Sequence, residues 1–304
     1  MEKSGYRFVG NNAAVKICGF TKKGVKDEDY CYKKKFYGIN SHRCVQMTPS
    51  MICPNRCTFC WRDTSTMTGK YWKGEIDDPR EIIEGAIEQQ RKLLEGFKGN
   101  KNVSKKQFEE AMNPIHFAIS LTGEPTMYPK IKELIKELHK MGKSSFLVTS
   151  GQFPERIAEL DPLPTQLYIS VDAPNEKVFE GVERSQFKNG WERLNKSLKI
   201  MSELKTRRVV RITLVKGIND CDPEGYVGLI KKGNPDFVEV KGYMFIGHSR
   251  ERLEIKNMPS HEEVKEFAKK ICALSGLKIL DEKENSSVCL LAYKDTKDRF
   301  LKFE

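Results

Sequence analysis

The sequence contains no run of about 18 apolar residues, the length that a membrane-spanning helix requires. Its first ten residues, MEKSGYRFVG, lack the apolar core of a secretory signal, so export is not expected. There is no internal repeat and no low-complexity segment, which argues against a solenoid. Acidic residues are in deficit, with 42 Asp and Glu against 53 Lys and Arg and a net charge of +11. Such a balance suits an anionic partner such as a nucleic acid, although a lysine-rich solvated surface explains it equally well. Hydrophobic residues make up 38% of the chain, which is modest but sufficient for a sizeable core and excludes wholesale disorder. At 304 residues the chain is one large domain with an appendage, or two smaller ones.

Cysteine is the residue in excess. There are nine, and six fall in the first 60 residues: Cys18, Cys31, Cys44, Cys53, Cys57 and Cys60. An odd total argues against a closed disulfide framework. In a cytoplasmic chain, which keeps its thiols reduced, clustered cysteines point to metal binding or catalysis. The remaining three, Cys221, Cys272 and Cys289, fall in a predicted loop, helix and strand and read as structural.

Residues 1–50 are basic, with ten Lys and Arg against four Asp and Glu, and lack clear periodicity. Beyond them a rhythm appears. Apolar residues at helical spacing, proline in the first turn or glycine at the end predict helices over 77–97, 129–142, 189–205, 223–233 and 260–276, with a short one in PERIAEL. Between them lie apolar or β-branched segments at 45–52, 116–121, 145–151, 166–174, 208–217 and 236–247, and two closing strands in LKILDEK and SSVCLLAYK. GNKNVSKKQ (99–107) reads as an exposed loop. Alternating strands and helices with short links predict an α/β fold with a parallel sheet and right-handed crossovers. Six such units are too few for a complete eight-unit barrel and suit a partial (β/α)6 barrel of the TIM type. Its chemistry belongs at the C-terminal ends of the strands.

CPNRCTFC follows the first of these strands and spaces Cys53, Cys57 and Cys60 as C-x3-C-x2-C. Three thiolates within eight residues can wrap one inorganic core. A zinc site normally closes with four ligands, and Cys44 or His42 could supply the fourth. A 4Fe–4S cluster held by three thiolates instead leaves one iron open, which suits a chemical role. The spacing resembles that of the radical S-adenosylmethionine superfamily. The resemblance implies that the amino and carboxylate groups of S-adenosylmethionine chelate the open iron. One electron from the cluster then releases a 5′-deoxyadenosyl radical. It further implies that Phe59 lies beside the adenine. Gly123, Glu124 and Pro125, which end the second strand in LTGEP, would meet the cofactor's amino group. Ser170 and Asp172, at the end of YISVDAP, would hold its ribose and carboxylate. Thr149, Ser150, Gly151, Thr213 and Lys241 also end strands and face the same mouth, although each could merely cap its strand.

Cys18, Cys31 and Cys44 lie 13 residues apart from one another. They are either buried free thiols or a second three-cysteine cluster. This spacing, together with CYKKKFYGI, HRCVQ and the CWR after the last cysteine, resembles the tRNA 4-demethylwyosine synthase family along essentially the whole chain. The resemblance implies two 4Fe–4S clusters, S-adenosylmethionine, and phenylalanine tRNA carrying 1-methylguanosine beside its anticodon. A hydrogen would be taken from the N-methyl group of the base, and a two-carbon unit from pyruvate would close the tricyclic ring of 4-demethylwyosine. Pyruvate would meet the second open iron, and Lys33 would activate it as a Schiff base. Positive neighbours such as Lys34 and Lys35 would ease deprotonation of that amine, although the three lysines equally form a phosphate-facing patch. Trp61, Tyr71 and Trp72 either stack on bases or pack a lid.

By this reading residues 1–44 form an extension carrying the second set of ligands, 45–280 the barrel and 281–304 the closing strands. The chain resembles the compact archaeal form of the family, so a cytoplasmic monomer that takes electrons from a separate donor protein, with no membrane partner, is expected. The competing readings are a radical enzyme with another substrate, such as a protein activase, and a non-catalytic zinc-dependent RNA-binding protein.

Overall fold

A computed structural model describes residues 5–303. Strands β1 (Arg7–Val9) and β2 (Ala13–Val15) open the chain. Helices α1 (Gly19–Val25) and α2 (Tyr32–Tyr37) come next, followed by β3 (Cys44–Thr48), α3 (Pro79–Glu95) and α4 (Lys105–Ala111). The repeating part continues through β4 (His116–Ile119), α5 (Ile131–Lys140), β5 (Ser144–Thr149), α6 (Pro154–Ala158), β6 (Gln166–Ser170), α7 (Glu176–Val182) and α8 (Gly190–Glu203). It ends with β7 (Arg207–Leu214), α9 (Pro223–Gly233), β8 (Phe237–Gly242) and α10 (His261–Ser275), and β9 (Lys278–Lys283) and β10 (Val288–Ala292) close the chain.

All ten strands join in one sheet, ordered β1-β2-β3-β4-β5-β6-β7-β8-β10-β9. From β3 to β8 every neighbour is parallel, which gives the six expected units of a partial barrel. Antiparallel strands extend both edges, β2 and β1 beyond β3, β10 and β9 beyond β8. No helix among the described residues is long and apolar enough to cross a membrane.

Strand alternation sorts the side chains. Val45 and Met47, Phe117 and Ile119, Leu147, Leu167 and Ile169, Val210 and Ile212, and Val238 and Val240 point outward into the core shared with the helices. The intervening positions face inward: Phe146, Tyr168, Val209 and Phe237 form a second apolar cluster inside the barrel. Into that interior goes α2, through Tyr32, Phe36 and Tyr37. One buried ion pair holds it there. Arg211 Nη2 lies 2.8 Å from Glu239 Oε2, and both residues face inward from adjacent strands. Tyr37 donates to Glu239 Oε1 at 2.8 Å, and Arg211 donates to the Tyr32 hydroxyl at 2.7 Å. The Arg211 guanidinium also lies 4.6 Å from the centre of the Tyr168 ring.

Several local expectations are corrected. The segment before residue 44, which lacks periodicity, contains two strands and two short helices. Their turns come from tertiary packing rather than from an amphipathic repeat. The loop over 99–107 ends earlier than expected, because Ser104 caps α4 by accepting from the Gln107 N–H at 3.4 Å. Helix α7, absent from the sequence reading, starts on an Asn175 cap.

Breaking the ion pair leaves an uncompensated buried charge. Glu239→Gln should lower the unfolding free energy by about 3–5 kcal/mol, read from the denaturant midpoint of the purified protein.

Candidate active site

The C-x3-C-x2-C loop leaves β3 and is tied down by main-chain contacts. The Cys53 N–H donates to Met67 O at 3.2 Å, and Gly69 N–H returns to Cys53 O at 3.2 Å. The Arg56 and Thr58 N–H groups donate to Glu183 O and Val182 O, at 3.0 and 2.8 Å, so the loop rests on the end of α7. Two arginines clamp it. Buried Arg62 reaches Asn55 O at 2.7 Å, and Arg252 donates to Thr58 O at 3.1 Å and to Cys60 O. Burial pushes the Cys53 thiol up to about 12 and Cys57 well above its ordinary value. Thiols in this state become ligands only when a metal ion supplies the opposing charge.

Glu124 sits at the end of β4, and its carboxylate is fully occupied. Oε1 accepts from Thr126 N and Oγ1 at 3.1 and 2.6 Å and from Thr149 Oγ1 at 2.6 Å. Oε2 accepts from Ser150 N and Oγ at 2.8 and 2.6 Å. A carboxylate offers about four lone-pair sites, so Glu124 acts here as the knot that joins the ends of β4 and β5. Gly123 must be glycine: its φ is +69°, and a Cβ would lie 1.9 Å from Ser50 O. Its backbone therefore packs directly on the segment entering the cysteine loop.

Asp172 accepts from Thr213 N at 2.6 Å, and burial pushes its carboxyl up to about 6. Asn219, which the sequence reading missed, donates to both Asp172 O and Thr213 O at 2.8 Å and so joins the ends of β6 and β7. Ser170 faces inward one turn of the pleat earlier, partly buried. Phe59 packs beside Val215, Tyr243 and Leu253. Glu183 is a further missed residue. It lies 3.9 Å from Cys57 Sγ and bonds Asn55, and burial raises its carboxyl well above the usual range. Nothing in the spacing marked it, because its proximity comes from α7 folding over the loop. Asn55 Oδ1, Thr58 Oγ1 and Glu183 Oε1 are buried without a partner, an arrangement that fits a polar cofactor at this loop.

The second triplet is assembled by helix starts. Cys18 and Cys31 precede the first turns of α1 and α2, and Cys44 opens β3. The Cys31 N–H donates to Ser41 Oγ at 2.9 Å, and Thr21 Oγ1 donates to Ser41 O and Cys44 O at 3.1 and 3.3 Å. Burial raises the Cys31 thiol to about 11 and the Cys44 thiol to about 12; charge on Cys18 adds to the rise at Cys31, and charge on Cys18 and Cys31 adds to it at Cys44.

Lys33 is only 8% exposed. Its Nζ lies 5.2 and 5.0 Å from the Phe146 and Tyr168 ring centres. Burial, then the Arg211 guanidinium, lowers its ammonium pKa, while Cys31, Cys44 and Glu239 oppose the shift. This corrects the role expected for Lys34 and Lys35. Both point to solvent, Lys34 over the Tyr30 ring and Lys35 onto Asp281 at 2.8 Å. The aromatics divide as well: Trp72 packs on Tyr128 and Trp61 on Tyr6, and Tyr71 is 75% exposed.

Comparison with known proteins gives the family. Residues 100–230 match the radical SAM superfamily, and residues 232–293 match the family described as wyosine base formation. The S-adenosyl-L-methionine-dependent tRNA 4-demethylwyosine synthase of Pyrococcus horikoshii is 49% identical over 298 residues, spanning 96% of this chain and 87% of that one. This chain belongs to the tRNA 4-demethylwyosine synthase family. The synthase of Oryza sativa is 43% identical over 97% of this chain, which spans 46% of that longer protein. A solved structure of TYW1 with a lysine-pyruvate adduct bound superposes with a TM-score of 0.89 at 37% identity, covering 99% of this chain and 96% of that one. As a radical S-adenosylmethionine enzyme, the protein works with that cofactor and an iron–sulfur cluster.

A Cβ at Gly123 collides with main chain, so Gly123→Ala should displace the segment that carries Cys53. Release of 5′-deoxyadenosine by the reconstituted variant should fall at least about tenfold, while the circular dichroism of the fold is retained.

Proposed function

We propose that the protein condenses 1-methylguanosine beside the anticodon of phenylalanine tRNA with a two-carbon unit from pyruvate to form 4-demethylwyosine. Cys53, Cys57 and Cys60 hold the cluster that binds S-adenosylmethionine, and Cys18, Cys31 and Cys44 hold a second 4Fe–4S cluster. When bound, the cofactor and its cluster supply a carbon radical that removes one hydrogen from the N-methyl group of the base. Phe59 would lie against the adenine, Ser170 and Asp172 would hold the ribose and carboxylate, and the Gly123–Pro125 backbone would meet the amino group. Glu124 positions that backbone through its five hydrogen bonds to Thr126, Thr149 and Ser150.

The observation that carries this reading is Lys33. It is a buried amine facing the barrel interior, two residues from Cys31, with no carboxylate within 4.0 Å among the described residues. Lys33 Nζ attacks the keto carbon of pyruvate; the carbonyl oxygen leaves as water, and the imine retains the substrate. The solved relative with a lysine-pyruvate adduct supports this role. For the tRNA, exposed Lys22, Lys23, Lys34 and Lys73 supply phosphate contacts, and exposed Tyr71 offers a stacking face. All nine cysteines are free, in keeping with a reducing cytoplasm. A monomer supplied with electrons by a separate donor protein completes the proposal.

The test is anaerobic turnover with S-adenosylmethionine, a strong reductant, pyruvate and methylguanosine-bearing tRNA, read by mass spectrometry of the digested tRNA. Pyruvate-dependent tricyclic nucleoside is expected; 5′-deoxyadenosine without it would reassign the substrate. Lys33→Ala should keep 5′-deoxyadenosine release and lose the tricyclic product. Reconstituted protein should hold roughly eight irons, falling to about four when Cys18, Cys31 and Cys44 are replaced by alanine.

A further inference from the structure

Two lysines face the second cysteine triplet, and only Lys33 has a role so far. The other is Lys241, an inward residue at the end of β8, paired in register with Thr213 on one side and Val288 on the other. Its Nζ lies 5.8 Å from the Tyr32 ring centre and donates to Ser286 O. The charges of Lys33 and Lys241 both act on the Cys31 thiol. Glu239, the nearest inward carboxylate in sequence, is already occupied by Arg211, Tyr32 and Tyr37. No salt bridge among the described residues includes Lys241, whereas Lys35, Lys265 and Lys283 on the same side of the fold each have one. An ammonium has three donors, and one is used. Beside it, the buried Ser286 hydroxyl has no hydrogen-bond partner, and neither does that of Ser287. Burial, then the Arg211 guanidinium, lowers the Lys241 ammonium pKa to about 8, and a lysine with two free donors beside an orphaned hydroxyl suits a small anion, whose charge would hold the proton in place.

We propose that Lys241, with the Ser286 hydroxyl, binds the carboxylate of the α-keto acid and so turns its keto carbon toward Lys33. The inference rests on the pyruvate reading above. It assigns the opposite end of the substrate and predicts that the site prefers an α-keto acid to a neutral ketone. Lys241 forms no covalent bond. Its two free donors and the serine hydroxyl grip the carboxylate, while the amine of Lys33 condenses with the ketone and releases water.

The test traps the adduct. Reconstituted protein is incubated with pyruvate and borohydride, without S-adenosylmethionine or tRNA, and adduct is measured by intact mass and peptide mapping. Lys241→Met should raise the half-saturating pyruvate concentration at least about tenfold, with the adduct still on Lys33. Lys241→Arg should recover most of the loss. Methyl pyruvate, which has no carboxylate charge, should be trapped equally by wild type and Lys241→Met. Equal half-saturation for pyruvate in the two proteins would overturn the proposal, as would an equal loss with methyl pyruvate or an adduct mapped to Lys241. If wild type forms no adduct, the Lys33 reading fails separately. Equilibrium dialysis of labelled pyruvate against Lys33→Ala and Lys33→Ala/Lys241→Met then decides the carboxylate site: weaker retention by the double variant supports it, and equal retention refutes it.

Discussion

The Glu239 carboxylate organises the inside of this barrel. It is fully buried, and Arg211, Tyr32 and Tyr37 all bond to it. A charge placed that deep is tolerated only when its partners are fixed, and fixing them docks α2 inside the sheet. Docking of α2 sets where Cys31 and Lys33 lie, because one precedes its first turn and the other sits within it. The ion pair therefore supports the segment that carries Cys31 and Lys33.

The barrel mouth uses a different device. Its strand ends are tied by side chains that bond main chain or neighbouring hydroxyls: Glu124 across β4 and β5, Asp172 and Asn219 across β6 and β7. The cysteine loop has no regular structure of its own and is held by Arg62, Arg252 and the end of α7. Polar atoms left unpaired around that loop, on Asn55, Thr58 and Glu183, are costly in isolation and become useful once a polar cofactor fills the space. Lys33 and Lys241 follow the same logic at the other triplet, as inward-facing amines with no carboxylate partner among the described residues.

Much of this was legible in the sequence. The β/α rhythm located all six parallel strands and the long helices, because each buries an apolar stripe that periodicity reveals. The Ser260 and Glu263 capping box was likewise visible in the residues and is present. The short elements before residue 44 were not legible. A helix of six residues such as α2 is held by what surrounds it, and its buried face of Tyr32, Phe36 and Tyr37 is too short to show a period. Among the candidate residues, those in compact motifs were legible as candidates, whereas Glu183, Asn219, Arg211 and Arg252, brought in from distant elements, carried no local signal.

By itself the sequence determined the chemical inventory: two cysteine triplets, a Gly-Glu-Pro strand end, a lysine run after Cys31, and enough alternating strands and helices for six units of barrel. Local spacing is sufficient for that, since each motif spans only a few residues. Tertiary structure alone decided which lysine of the run is buried. Lys33 turns inward between Phe146 and Tyr168, whereas Lys34 and Lys35 reach solvent. It also decided that the positive charge beside Lys33 comes from Arg211, 178 residues away, rather than from its neighbours in the chain. The physical reason is burial: it selects one face of a short helix, and only the assembled barrel defines which face that is.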